Sequence, residues 1–443
     1  MIKSDKGKIV YILILALLNV ALLSVGHAVG SSLLLLLAIM WFAMLAVVAP
    51  REYYMPIMIF YLPWTALLKL SPGMSSVHSL VTLLVLLIVG AKWLKKNPDI
   101  SGGYFAIVII FAAYTLIIKF LNRLPLEPQY IFFMAMMLFI PIYLVEYKEK
   151  VRFDVSVLFL AFGNLAACIS ALLLIDNSNI QPFIVINNEM SVGIRFSAFY
   201  SDPNYFSAQM LVAISGLMII LTKTKNKKNI IPAVILIIAL IYYAMQSVSK
   251  AFMLSAFVVL SLWLFNLMTG KRSISFKIYL VVAIMGVVFF VLSQDLFMQQ
   301  LELYLLRFGR VEDASSLTTG RVGLWGVYLN YLMTNTDKLL FGIGLSEDQL
   351  RIILNTNNAH MTLIEMLYQI GLFGVILMGI WWKSLFKGFM DDRKLVYSDW
   401  MNMGILAIAI VMPWFGLDVL YFREFFYFPA ILLLMKKYLV ENA

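Results

Sequence analysis

VSVLFLAFGNLAACISALLLI, residues 155–175, runs for 21 residues without a charge. An α-helix rises 1.5 Å per residue, so about 20 apolar residues cross the roughly 30 Å hydrocarbon core of a bilayer. Comparable runs lie over 9–25, 31–49, 55–69, 78–94, 103–120, 129–147, 205–222, 229–245, 251–268, 275–293, 360–382, 400–417 and 424–440. They predict about fourteen spans. The run over 55–69 carries Pro56 and Pro63, so it is expected to be broken or re-entrant.

Composition agrees. Of 443 residues, 62% are hydrophobic and 13% charged, with a mean hydropathy of +0.91. Soluble domains carry about 25% charged residues, so most of this surface must face lipid. The expected fold class is an all-α, polytopic transmembrane helix bundle with both termini cytoplasmic and a large, partly helical extracytoplasmic loop. The start, MIKSDKGK before an apolar stretch, lacks a small-residue cleavage site and reads as a retained first helix. Cys168 is the single cysteine, so no internal disulfide forms.

The net charge of +10 does not point to nucleic acid, because the basic residues sit in short clusters between apolar runs. With the N-terminus inside, 23 of the 34 lysines and arginines fall in cytoplasmic segments. The rest break the positive-inside bias and need another reason to lie outside. Five of them sit in 294–359, the longest non-spanning stretch, and Arg195 sits in the next longest, 176–204. The chain therefore divides into N-terminal helices (1–175), a core with the two external loops (176–382) and C-terminal helices (383–443).

Within 294–359, apolar and aromatic residues recur, which predicts one or two interfacial helices over the bundle. Ser316, Thr318 and Thr319 are candidate caps, and Leu324, Tyr328 and Tyr331 fall near one helical face. FGIGL at 341–345 reads as a glycine-assisted turn. His360 follows Asn357 and Asn358, either of which suits a cap. In the first turn of a helix the dipole disfavours the imidazolium, and a neutral imidazole is what a general base requires. The competing reading is an interfacial histidine with a local hydrogen bond. Glu365, about 140° further round that helix, is poorly placed to orient it. Gly371 and Gly374 are expected to serve close helix packing.

External arginines either snorkel to headgroups or converge into an anion site, for which guanidinium suits phosphate. Lys250 in QSVSKAF, at the outer end of a helix, fits the second picture. Arg195 opens RFSAFYSDPNYFSAQ, where Asp202-Pro203 suits the cap of a helix starting near Asn204. No Walker A sequence, HExxH or external DxD pair occurs, so no metal or nucleotide-sugar site is expected, and no cofactor.

The order GIRFSAFYSDPNYFSAQ, Ser249-Lys250, TGRVGLWGVYL, LLFGIGL and NNAHMTLIEMLYQIGLFG resembles the O-antigen ligase and O-antigen polymerase superfamily of bacterial envelopes over roughly 190–380. The last block has the family's H-[NSQ]-x9-G-x-x-G spacing through His360, Gly371 and Gly374. Met361 departs from it, and so does Lys250, where the family commonly has Arg. Asp202-Pro203-Asn204 and the span number look more like a polymerase than a ligase.

The resemblance implies metal-independent, inverting glycosyl transfer from an undecaprenyl-pyrophosphate-linked glycan to a glycan acceptor, at the outer face of the bacterial inner membrane. His360 would deprotonate the acceptor hydroxyl while Arg321 and Arg195 stabilise the leaving pyrophosphate. Lys250, Asp202, Asn204 and Arg310 would bind substrate. Membrane lipid, a chain-length regulator and a flippase are the implied partners. A ligase acting on lipid A core, or a flippase for lipid-linked oligosaccharides, are the alternatives. A flippase would carry ionisable residues at mid-membrane depth, whereas these runs are nearly free of charge.

Overall fold

The computed structural model describes residues 5–69, 76–95, 102–184, 186–189, 193–200, 202–224, 230–270, 274, 277–279, 281–282, 285–286, 293, 295–309, 311, 313, 318–346, 353–389 and 395–441. Helix dominates throughout. The first half contains α1 (Asp5–Val29), α2 (Ser32–Val48), α3 (Tyr54–Phe60), α4 (Val77–Leu94), α5 (Gly102–Leu121), α6 (Pro128–Glu146) and α7 (Phe153–Leu173). There follow β1 (Ile186–Glu189), β2 (Gly193–Phe196), α8 (Pro203–Lys223), α9 (Ile230–Met245), α10 (Lys250–Thr269) and α11 (Asp295–Gly309). The last elements are α12 (Arg321–Thr334), α13 (Thr336–Phe341), α14 (Thr362–Phe389), α15 (Tyr397–Val411) and α16 (Glu424–Glu441).

Among the described residues, nine helices are long and apolar enough to cross a membrane. Ser32–Val48 and Ile230–Met245 are apolar but shorter. The run at 424–440 forms α16, which is buried along nearly its whole length and contains Pro429. The run at 275–293 lies largely outside the described residues. Large apolar side chains remain exposed along the outer helices, including Val48, Phe120 and Phe257 at 74%, 82% and 71%. Water would penalise such surface and lipid would not.

The run at 55–69 is broken, as its prolines predicted. α3 is seven residues long, is followed by a 3-10 turn at Leu62–Trp64, and is buried throughout. Broken backbone is tolerated at this depth because neighbours satisfy it. His78 on α4 bonds the Met58 carbonyl at 2.9 Å, and the Trp64 indole donates to the Gly163 carbonyl at 3.2 Å. At Gly163 on α7 a Cβ would stand 2.2 Å from the Phe60 carbonyl oxygen, so the two backbones meet where no side chain fits.

α8 is the most enclosed of the nine, with 89% of its apolar window buried. Its far end is anchored by a 2.6 Å ion pair between Lys223 and the buried Asp399 of α15. Its N-terminus opens toward the loops that carry the charged residues.

The all-α helix bundle is as expected, and to it β1 and β2 add one short antiparallel hairpin with Asn187 opposite Arg195. The hairpin lies in 176–204, where Gly193 and neighbouring polar residues interrupt the apolar pattern. Within 294–359 three helices are described rather than one or two. α12 and α13 are folded onto α14 through Tyr328, Leu332, Ile343, Ile364 and Tyr368. Tyr328 and Tyr331 both meet Tyr368 at 5.8 Å between ring centroids, whereas Leu324 turns to a cavity.

The FGIGL turn is built as expected, with Gly342 at φ 72° and Gly344 at φ 99°. It crosses α14 where Gly371, at φ 63°, interrupts the helix. The Ile343 and Gly344 amides bond the Tyr368 and Gln369 carbonyls that this interruption frees, at 3.0 and 2.9 Å. The Tyr114 hydroxyl on α5 reaches the Phe341 and Ile370 carbonyls, both at 2.7 Å. Gly371 therefore serves a backbone crossing. Gly374 packs against Ile370 of its own helix.

Candidate active site

Asp202 is the N-cap of α8, its carboxylate accepting the Asn204 amide at 2.6 Å, with Pro203 as the first helical residue. Ser249 is the N-cap of α10, accepting the Phe252 amide at 3.3 Å. Its hydroxyl also donates to Asn204 Oδ1 at 2.7 Å, so two helix starts are tied side by side. Both present the positive end of a helix dipole to the same space.

Arg195, on β2, joins this knot. Its Nε donates to the Ser247 carbonyl at 2.8 Å and its Nη2 to Asn204 Oδ1 at 3.3 Å. The turn before α10 holds Val248 at φ 46°, and the Val248 carbonyl accepts a bond from Arg307 of α11. Two arginines are thus fixed by the carbonyls of one strained turn. Both are largely buried, at 4% and 8% exposure, and they share the space with Lys250, the first residue of α10.

Arg321 comes from the other side. It is the first residue of α12, after Gly320 at φ 82°, and the Thr318 hydroxyl accepts the Val322 amide at 3.3 Å. Ser316, the other candidate cap, lies outside the described residues. The Arg321 guanidinium is packed so close to Gly416 that a Cβ there would stand 2.7 Å from Nη1. Burial lowers the pKa of this guanidinium, while Asp202 and Asp418 act to raise it.

α14 begins at Thr362, so His360 precedes the helix rather than opening it, and it stands at φ 50°. Neither Asn357 nor Asn358 caps that helix start. Asp418 does, from the segment after α15: its two carboxylate oxygens accept the His360 and Met361 amides, each at 2.9 Å. The Thr362 hydroxyl donates to the Leu417 carbonyl at 2.6 Å and accepts the Val419 amide at 3.2 Å, which binds the two segments together. Trp325 donates to the Ala359 carbonyl at 2.9 Å and Tyr328 to the Asn357 carbonyl at 2.8 Å, holding the histidine loop from the α12 side.

The His360 side chain is 36% exposed and that of Asp418 is 7% exposed. Nδ1 lies 3.7 Å from Asp418 Oδ2, which leaves Nε2 as the ring nitrogen able to face the cavity. Burial lowers the imidazole pKa below its ordinary 6.5; the Asp418 and Asp202 carboxylates oppose that, and Arg321 reinforces it. Burial raises the Asp418 pKa, against the pull of His360, the two amides and Arg321. Burial thus favours the neutral imidazole, and Asp418 lies behind it, placed to stabilise a proton once taken.

Arg195, Asp202, Asn204, Lys250, Arg321 and His360 all line one cavity of about 610 Å³, joined by Arg307, Trp325 and Gly416. Arg310 lies outside the described residues. Among the described lining residues, four cations stand against Asp202. Two further cations serve the frame. Lys119 bonds the Leu345 carbonyl at 2.6 Å, and Lys338 bonds Asn122 Oδ1 at 2.6 Å. Sequence reasoning missed Asp418, and it treated Arg307 as one external cation among several. The aspartate follows an apolar run with no local motif, so its partnership with His360 is visible only in three dimensions. No protein-family model matches the chain, and neither does any curated protein.

Proposed function

We propose that the chain is a membrane glycosyltransferase that joins undecaprenyl-pyrophosphate-linked oligosaccharide units into a surface polysaccharide. It has about fourteen crossings with both termini in the cytoplasm, and its cavity opens at the external face of the inner membrane. The observation that carries this reading is the convergence of Arg195, Lys250, Arg307, Arg321 and His360 on one cavity from five separate elements. A volume near 610 Å³ suits a pyrophosphate with its first sugars.

In the reaction, His360 Nε2 accepts the proton of an acceptor hydroxyl as its oxygen attacks the anomeric carbon. The bond from that carbon to the pyrophosphate oxygen breaks on the opposite face, which inverts the centre. The leaving group gains negative charge, and the guanidinium and ammonium groups, already held in place, stabilise it without reorganising. The two dipoles of α8 and α10 act in the same direction. Asp418 stabilises the imidazolium produced at His360 and keeps the ring in position. Met361 packs its side chain against the buried cluster that contains Tyr328 and Tyr368.

Purified protein supplied with lipid-linked repeat units alone tests the reading. A ladder of products supports polymerisation. Products that form only when a second acceptor is added would make the chain a ligase, and the absence of any glycosidic product would overturn glycosyl transfer.

A further inference from the structure

A second cavity, of about 630 Å³, adjoins the first and differs from it in chemistry. Among the described residues six aromatics line it: Phe132, Phe199, Tyr200, Tyr205, Tyr421 and Phe422. The first cavity has Trp325 and Phe415. The cations differ too. Among the described residues the second cavity has Lys69 and Arg423, with Glu424 beside the arginine, so these side chains supply little net charge to hold a pyrophosphate.

Tyr205 forms the partition. It is the chain neighbour of Asn204, which lines the first cavity, yet its own ring lines the second and stacks on Phe422 at 4.5 Å. Its hydroxyl donates to the Asp418 carbonyl at 2.5 Å, so the residue that grips His360 also closes this wall.

The second cavity also contains unmet polar groups. Arg423 lies over the Phe132 ring at 5.6 Å and bonds the Ser79 hydroxyl. Its Nε, Glu424 Oε2 and the Tyr200 hydroxyl are buried without a hydrogen-bond partner among the described residues. A protein rarely leaves three such groups together unless water or a ligand completes them. Hydroxyl-rich sugar rings, whose C–H faces stack on aromatic rings and whose hydroxyls both donate and accept, match this lining; a phosphate does not.

We infer that the second cavity receives the acceptor glycan, held through sugar rings and hydroxyls rather than through phosphate, and presents its hydroxyl past Tyr205 to His360. This rests on the glycosyl-transfer reading of the first cavity. It assigns the pyrophosphate end of the donor to one cavity and the acceptor glycan to the other.

The test uses the full chain in nanodiscs and two probes. One is the lipid-free oligosaccharide released by mild acid from the producing cell's own lipid-linked repeat units, and the other is inorganic pyrophosphate. Leu80, 57% exposed at the second cavity, and Leu254, 41% exposed at the first, are replaced by tryptophan to obstruct each in turn. Leu80→Trp is expected to weaken oligosaccharide binding at least ten-fold and leave pyrophosphate binding intact, with Leu254→Trp doing the reverse. Should Leu80→Trp lose both ligands, Gln129→Trp, at another exposed lining position, decides between them. Wild-type oligosaccharide affinity in the second-cavity variants overturns the inference. So does competition by sugar-free undecaprenyl phosphate, which would make the cavity a lipid site. Chain extension that persists in His360→Asn overturns the transfer reading itself, a separate result.

Discussion

The carboxylate of Asp418 stands 3.7 Å from His360 Nδ1 and accepts the same residue's backbone amide at 2.9 Å, so one side chain holds the main chain of the proposed base and sets an acid beside its ring. Replacing Asp418 by Asn presents an NH2 group where one of two donors pointed. The exchange should cost about 1–3 kcal/mol of stability and lower turnover. It also removes the main influence raising the His360 pKa. The acid limb of the rate profile should therefore move to lower pH in this variant, and a limb that stays put would mean the carboxylate does not act on the imidazole.

In the wild type, burial holds the His360 pKa below 6.5, so the free base persists below that pH. The rate should be flat through neutrality and fall as pH drops through the lowered pKa. Initial rates of product formation between about pH 4 and 8 check this; a limb above 6.5 contradicts it.

His360 sits at φ 50°, where asparagine is better tolerated than alanine. His360→Asn should keep the fold, while chain extension falls by roughly 10²–10⁴-fold, the range typical of a lost general base. His360→Ala should lose as much activity and additionally some stability. Thermal unfolding in detergent separates the two effects.

Gly416→Ala places a methyl 2.7 Å from Arg321 Nη1. The clash is with the end of a flexible side chain, so stability should change little. The guanidinium must move, and turnover should fall at least ten-fold if its position matters to the leaving pyrophosphate. Arg321→Lys, which keeps the charge and loses the fork, should behave similarly.

Gly371→Ala should do the opposite. Its φ of 63° disfavours any side chain, and the new Cβ would meet the Leu340 carbonyl oxygen at 2.4 Å, where backbone has to yield. A loss of about 2 kcal/mol or more is expected, read as a lowered unfolding temperature without a selective effect on substrate binding.

The bundle was readable because lipid imposes one coarse demand, a long uncharged run, and residues 155–175 and 205–222 meet it whatever their neighbours do. The break at Pro56 and Pro63 was readable for the same local reason. The hairpin of Ile186–Glu189 and Gly193–Phe196 was not, since four-residue strands carry too little pattern. Six of the seven site residues singled out share a cavity. Asp418 escaped because it reaches His360 across 58 residues of sequence, and no spacing rule covers that distance.

Asp418 grips amides, and every residue other than proline has one. The bond from its Oδ1 to Met361 does not depend on which side chain that residue carries. The side chain at position 361 therefore answers to the cluster it packs against and not to the grip of Asp418, while the histidine beside it stays anchored.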